Sequence, residues 1–143
     1  MDNFKNIFAQ FGTKRTTPTK TEIPDIEQLV QFQLPQDYKY FLQEYTGFEG
    51  NIGREYLGIW DLDELIELNS AYEIPAMLSH TLAIGSNLGG ECIALQLTLE
   101  DSFRVILIPF ASFNETDQIV IGDSFTDFFV RLMNGDNWFG TKS

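Results

Sequence analysis

Cys92 and His80 are the only cysteine and the only histidine in a chain of 143 residues. A thiol nucleophile with an imidazole base would have to be built from that pair. Cys92 falls in CIALQL beside Ala94, a strand-like apolar stretch. The expectation there is a buried, inert thiol. His80 precedes the next apolar run in a polar connection and reads as a surface residue. A single Cys excludes an internal disulfide, and a single His excludes a multi-His metal centre. Carboxylates are abundant, 21 in all. Acid–base catalysis needs two of them opposed across a cleft at about 5–10 Å. Their even spread along the chain nominates no such pair. Asp61, Asp63, Glu64 and Glu67 are oxygen donors for a divalent cation, but their order does not follow a calcium loop. They read instead as the solvated face of a helix. The run Gly85-Ser86-Asn87-Leu88-Gly89-Gly90 is glycine-rich, but a strand follows it and no Lys is near. A phosphate cradle wants a helix there, so a hairpin turn is expected. Neither nucleotide-loop motif is present. The reading is therefore no enzyme, no catalytic residues, no metal and no cofactor.

Charge is the feature that points outward. Nine Lys and Arg against 21 Asp and Glu give −12. Residues 1–20 hold Lys5, Lys14, Arg15 and Lys20 against Asp2 and are net basic. Between Arg54 and Arg104 there is no Lys or Arg, while Glu55, Asp61, Asp63, Glu64, Glu67, Glu73, Glu91, Glu100 and Asp101 fall in that interval. Such a surface repels phosphate backbones, so nucleic acid is not an expected partner. A basic protein is, since complementary charge speeds encounter. The candidate partner-binding residues are Asp61, Asp63, Glu64, Glu67, Glu73 and Glu91.

The elements that must carry these residues follow from hydrophobic period. Phe4, Ile7, Phe8 and Phe11 form one helical stripe, with Asp2 as a cap and Gly12 as a stop. The stretch 13–20 is polar and basic, contains Pro18, and reads as a linker. This divides the chain into an arm, 1–20, and one domain, 21–143, and packing of the arm's three Phe on that domain is expected. Pro24 opens a short helix near 24–32, and Pro35 opens another with Tyr38, Phe41, Leu42 and Tyr45 as its stripe, closed by Gly47. Residues 48–60 predict two strands with a turn near Gly50-Asn51. Asp61-x-x-Glu64 is a capping box for a helix with Leu62, Leu65 and Ile66 on its buried side, and Pro75 ends any continuation. Strands are expected at 81–86, 92–97 and 103–110, antiparallel because tight turns join them, and after a polar loop at 111–118 a short final strand is expected at 119–121. Ser124-x-x-Asp127 caps a last helix with Phe125, Phe128, Phe129 and Leu132, which Gly135 ends. Trp138 and Phe139 are expected to tuck against the body. The fold class is α+β, a mostly antiparallel sheet with helices packed against it.

Length and composition agree with one globular domain. The longest uncharged apolar run, Val105 to Phe110, is far short of the roughly 20 residues of a membrane span. The first residues, MDNFKNIF, show no basic start followed by an apolar core. No membrane association is expected, and a cytoplasmic location is.

Four stretches together carry a resemblance: LPQDYKYFLQEYTG at 34–47, NIGREYLGIWDLDELIELN at 51–69, LAIGSNLGGECIAL at 82–95 and SFTDFFVRL at 124–132. From about Ile23 to Leu132 the chain resembles the SUKH superfamily, in the branch named after fungal cell-wall assembly regulators and found widely in bacteria. The resemblance implies a SUKH-like α+β fold and a non-enzymatic role. Many bacterial members resemble immunity proteins that bind and block a cognate toxin domain, often a nuclease or deaminase. Fungal relatives look like signalling scaffolds. The expected function is thus neutralisation of a basic, nuclease-type toxin by direct contact, by a protein expected to be monomeric. The alternative is a general interaction or regulatory scaffold without a toxin. The residues carrying the resemblance read as scaffold: Leu34, Tyr38, Phe41, Leu42, Trp60, Phe125 and Phe128 as core, and Gly85, Gly89 and Gly90 as turns needing unusual dihedrals.

Overall fold

Short connections set the topology. In the computed structural model, which describes residues 4–139, the strands are β1 (Phe48–Ile52), β2 (Glu55–Ile59), β3 (Thr81–Ser86), β4 (Glu91–Leu97), β5 (Phe103–Pro109) and β6 (Ile119–Gly122). They form one sheet in the order β1-β2-β3-β4-β5-β6, antiparallel throughout. Chain order is spatial order because each link is a turn, a short loop or, between β2 and β3, a helical excursion. The described helices are α1 (Phe4–Ala9), α2 (Ile23–Val30), α3 (Gln36–Glu44), α4 (Leu62–Ala71), α5 (Ile74–Met77) and α6 (Phe125–Met133). The fold is α+β, as the sequence predicts.

Strand alternation gives the sheet two apolar faces, and their covers are unequal. Leu82, Ile84, Ile93, Leu95, Val105 and Leu107 share one core with residues of α1, α2, α3 and α6. Rings dominate it. Phe8 of α1 is fully buried, with centroids 5.4 Å from Phe41, 5.3 Å from Phe125 and 5.0 Å from Phe129. The N-terminal stripe therefore packs into the body. Ala83, Cys92, Ala94, Ile106 and Ile108 form the other face, covered by Ile74 and Leu78 at α5 and by Phe113. Small side chains and a thin cover make this the shallower of the two cores.

Several boundaries differ from expectation. The β1–β2 turn lies at Gly53-Arg54, because β1 continues through fully buried Ile52, paired with Glu55. Gly53 has φ +62, and a Cβ there would collide with the Leu132 carbonyl. Pro75 does not simply end a helix; it occupies the first turn of α5, where a missing N–H costs no hydrogen bond. Gly85 is not in a turn. It lies within β3, where a Cβ would strike the Gly58 carbonyl, so its role is close approach of β2 to β3. α3 ends at Glu44, before Gly47. Trp138 is buried, but Phe139 is exposed. The Asp2 cap lies outside the described residues.

Candidate partner-binding surface

α4 carries most of the candidate carboxylates, and three hydrogen-bond sets fix it. The first is the expected capping box, in which Glu64 Oε1 accepts from the Asp61 N–H at 3.0 Å. The second is the N-terminal arm. Arg15 Nη2 reaches Asp61 Oδ1 at 2.6 Å and also donates to the carbonyls of Leu42 (2.9 Å) and Tyr45 (2.8 Å), at the C-terminal end of α3. Its side chain is 11% exposed. One guanidinium thus neutralises Asp61 and satisfies carbonyls at a helix end that favours a cation. Asp63 Oδ1 accepts the backbone N–H groups of Lys20 (2.9 Å) and Thr21 (2.7 Å). Burial works to raise the Asp63 pKa, but those N–H donors, the Thr21 side chain and the Arg15 charge outweigh it and hold the carboxyl below its ordinary value.

The third set is made by Asn69. β2 pairs with β3 only at Gly58–Ser86 and Ile59–Gly85, so the edge of β3 at Ala83 lacks a strand partner. Asn69, fully buried, takes that place. Its Nδ2 donates to the Ala83 carbonyl (2.9 Å) and to Leu65 O (2.9 Å), and its Oδ1 accepts the Ala83 N–H at 2.8 Å. A side-chain amide here stands in for a neighbouring strand. Sequence reading missed it. The available signal was a polar residue on the stripe Leu62, Leu65, Asn69, which is the buried face.

The six candidates therefore sit differently. Asp61 is half-buried and paired, while Asp63 and Glu64 are exposed but bonded within the chain. Glu67 lies one turn beyond Asp63 on α4 and is exposed. Glu73 follows the C-cap Tyr72 with φ +57 and is exposed. Neither Glu67 nor Glu73 has an ion-pair partner among the described residues. Glu91 is on another element, the β3–β4 hairpin, where its Oε1 accepts from Asn87 Nδ2 at 2.7 Å. The structure gathers Asp63, Glu64 and Glu67 on α4 with Asp61 as its N-cap, places Glu73 just past its end, and leaves Glu91 at the start of β4.

Next to Glu73 lies an aromatic ladder that sequence reading also missed. Trp60 and Tyr72 are stacked at 6.4 Å, Tyr72 and Phe110 lie 4.7 Å apart, and Phe113 is 6.2 Å from Tyr72. Tyr72 remains 39% exposed. Cys92 lies below this layer, 1% exposed, with burial pushing its thiol pKa up to about 12. His80 is on the surface. Among the described residues, no group of three or more His, Cys, Asp or Glu could hold a metal ion, and no helix is long and apolar enough to cross a membrane.

A six-stranded antiparallel meander with helices massed on one face, and a capped acidic helix sealing the β3 edge, defines the class of domain. The family follows from the sequence match: the model of the SMI1/KNR4 family (SUKH-1) fits residues 17–131, and the chain belongs to that family. The match begins beyond α1, although Phe8 is integral to the core. A comparison with curated proteins found no match. Family membership suggests an immunity-protein-like role and a protein partner in general.

Proposed function

We propose that this protein is an immunity protein that neutralises a basic, nuclease-type toxin by direct protein–protein contact, without catalysis of its own. The observation that carries the reading is an exposed acidic surface on a domain of this family. Asp63, Glu64, Glu67 and Glu73 are exposed on α4 and at its end, within a stretch from Glu55 to Phe103 that has no Lys or Arg. A nuclease must hold phosphates and so presents cations; an anionic protein surface can occupy the same cations and speed encounter. The protein acts where its partner would, in the cytoplasm.

Co-expression tests the reading. The protein is produced together with toxin-like nuclease domains encoded beside its own gene, in cells that each domain kills. Survival with one such domain, together with a 1:1 complex on gel filtration, is the expected result. Stable binding to a non-toxic partner, with no protection against any neighbouring toxin, would replace this reading with a general interaction scaffold.

A further inference from the structure

The two sheet faces are closed in different ways, and the thinner closure ends in a ring layer in which Tyr72 is exposed, Trp60 and Phe110 are half-buried and Phe113 is buried beneath them. Among the described residues, the side chains of Ala83, Cys92 and Ala94 are covered by Ile74 and Leu78 at four-residue α5 and by the segment that carries Phe110 and Phe113. The rings form a continuous layer: Trp60 on Tyr72, Tyr72 against Phe110 and Phe113, and Phe110 edge-on to Phe113 at 5.8 Å. Met77 of α5 is 51% exposed. Leu88 is 55% exposed, in the hairpin whose Gly90 carbonyl accepts the Phe110 N–H. Aromatic side chains with such apolar neighbours are what interface centres are built from.

The charge near this layer has one sign. Glu73 follows Tyr72, Glu91 opens the strand paired with Pro109, and Glu115 and Asp117 lie just beyond Phe113. Between Arg54 and Arg131 the only cation is Arg104, and its Nε is bonded to Gln96 Oε1 at 2.8 Å. The backbone is also fixed in unusual conformations here. Glu73, Leu88 and Phe113 have φ of 57, 58 and 46, left-handed values that bulky residues rarely adopt.

We propose that the Trp60–Tyr72–Phe110–Phe113 layer with Glu73 is the centre of the docking surface, and that it receives an arginine flanked by apolar residues on a basic partner protein. This rests on the reading of the protein as a toxin-binding one and names the chemistry that the toxin presents. Arginine is favoured over lysine because a planar guanidinium stacks on a ring while its N–H groups reach a carboxylate. The α4 acids then act as a steering rim, since Asp61, Asp63 and Glu64 are already bonded inside the chain. A second copy of this chain is a poor occupant: Arg15, Arg104 and Arg131 are bonded to their own carbonyls or side chains, and Arg54 also has a partner.

The test is an NMR titration of the full-length, ¹⁵N-labelled protein with the peptide acetyl-Gly-Leu-Arg-Leu-Gly-amide and with its Lys and Glu counterparts. Saturable shifts centred on Tyr72, Glu73, Phe110, Phe113 and the Trp60 indole are expected. The Lys peptide should bind roughly two- to fivefold more weakly, and the Glu peptide not measurably. Tyr72→Ala should weaken the Arg peptide several-fold, and Tyr72→Phe should retain binding and so control for folding. Strongest shifts on Asp63 and Glu67, equal affinity for Arg and Lys, or no effect of Tyr72→Ala would each overturn the proposal. So would sedimentation showing that these residues close a dimer. Toxin protection that survives Tyr72→Ala and Glu73→Gln together would sink this surface and leave the immunity reading standing. Specific arginine binding here without protection against any toxin would keep the surface and remove that reading.

Discussion

Replacing Asn69 with Ala tests how α4 is held, because one side chain serves both the helix and the sheet edge. The substitution removes three hydrogen bonds of 2.8–2.9 Å at a site with no exposure. It leaves the Ala83 N–H and carbonyl facing a void, since β2 pairs with β3 only at Gly58–Ser86 and Ile59–Gly85. A buried polar group without a partner costs about 1–3 kcal/mol, and two such groups with partial relaxation bring the loss to about 2–4 kcal/mol. That is a large share of the roughly 5–15 kcal/mol typical of a domain. Urea unfolding followed by tryptophan fluorescence reads it directly. With a slope of about 2 kcal/mol/M, the midpoint should fall by about 1–2 M while the slope itself stays constant. The Ala83 amide should also lose hydrogen-exchange protection before its β4 neighbours do. Asn69→Asp adds a sign test. A buried carboxylate has its pKa raised by desolvation, and the protonated form can both donate to and accept from Ala83. That variant should therefore be more stable at pH 4 than at pH 7, losing stability as pH rises through the folded-state value. A loss below about 0.5 kcal/mol in Asn69→Ala, as at an ordinary surface position, would refute the reasoning.

Tyr38→Phe should not destabilise the protein: its hydroxyl is buried without a hydrogen-bond partner, and burial, with the Asp61 charge behind it, raises its pKa well above the ordinary value. A gain of up to about 1 kcal/mol in thermal or urea unfolding is expected. The Asp63 carboxyl, held below its ordinary value, stabilises the docked arm above its unfolded pKa and ceases to do so as pH falls through the folded one. The Thr21 amide should therefore lose exchange protection, relative to its intrinsic rate, as pH falls through that lowered value, with no such step in Asp63→Asn. The double reversal Glu67→Lys with Glu73→Lys should slow association with a basic toxin by about tenfold or more at low salt, and far less at 1 M salt. Stopped-flow rates independent of these charges at low salt would contradict electrostatic steering.

What the sequence could say depended on how local the cause was. Capping at Asp61 and Ser124, the Phe stripes of α1 and α6 and the antiparallel strands are written in neighbours three, four or two positions apart, and they appear as expected. The turn at Gly53 was not legible, because Gly50-Asn51 offers equal turn chemistry and only the burial of Ile52 decides between them. Gly85 looked like a turn residue because its constraint comes from Gly58, far away in sequence. The same holds at the candidate surface. The carboxylates of the Lys- and Arg-free stretch are visible in one dimension, but the pairing of Asp61 with Arg15 spans 46 residues and cannot be read from spacing. Nor can the meeting of Trp60, Tyr72 and Phe110, which needs the β2–β3 excursion and the end of β5 to converge.

The most direct measurement titrates this protein, at physiological salt, into purified nuclease-type toxin domains, beginning with any found encoded beside its own gene, and reads nuclease activity. Nuclease activity should fall linearly and vanish at one equivalent, with no change to the nuclease's covalent structure. Full activity in the presence of a tenfold excess, under conditions where both proteins are folded, would contradict the account.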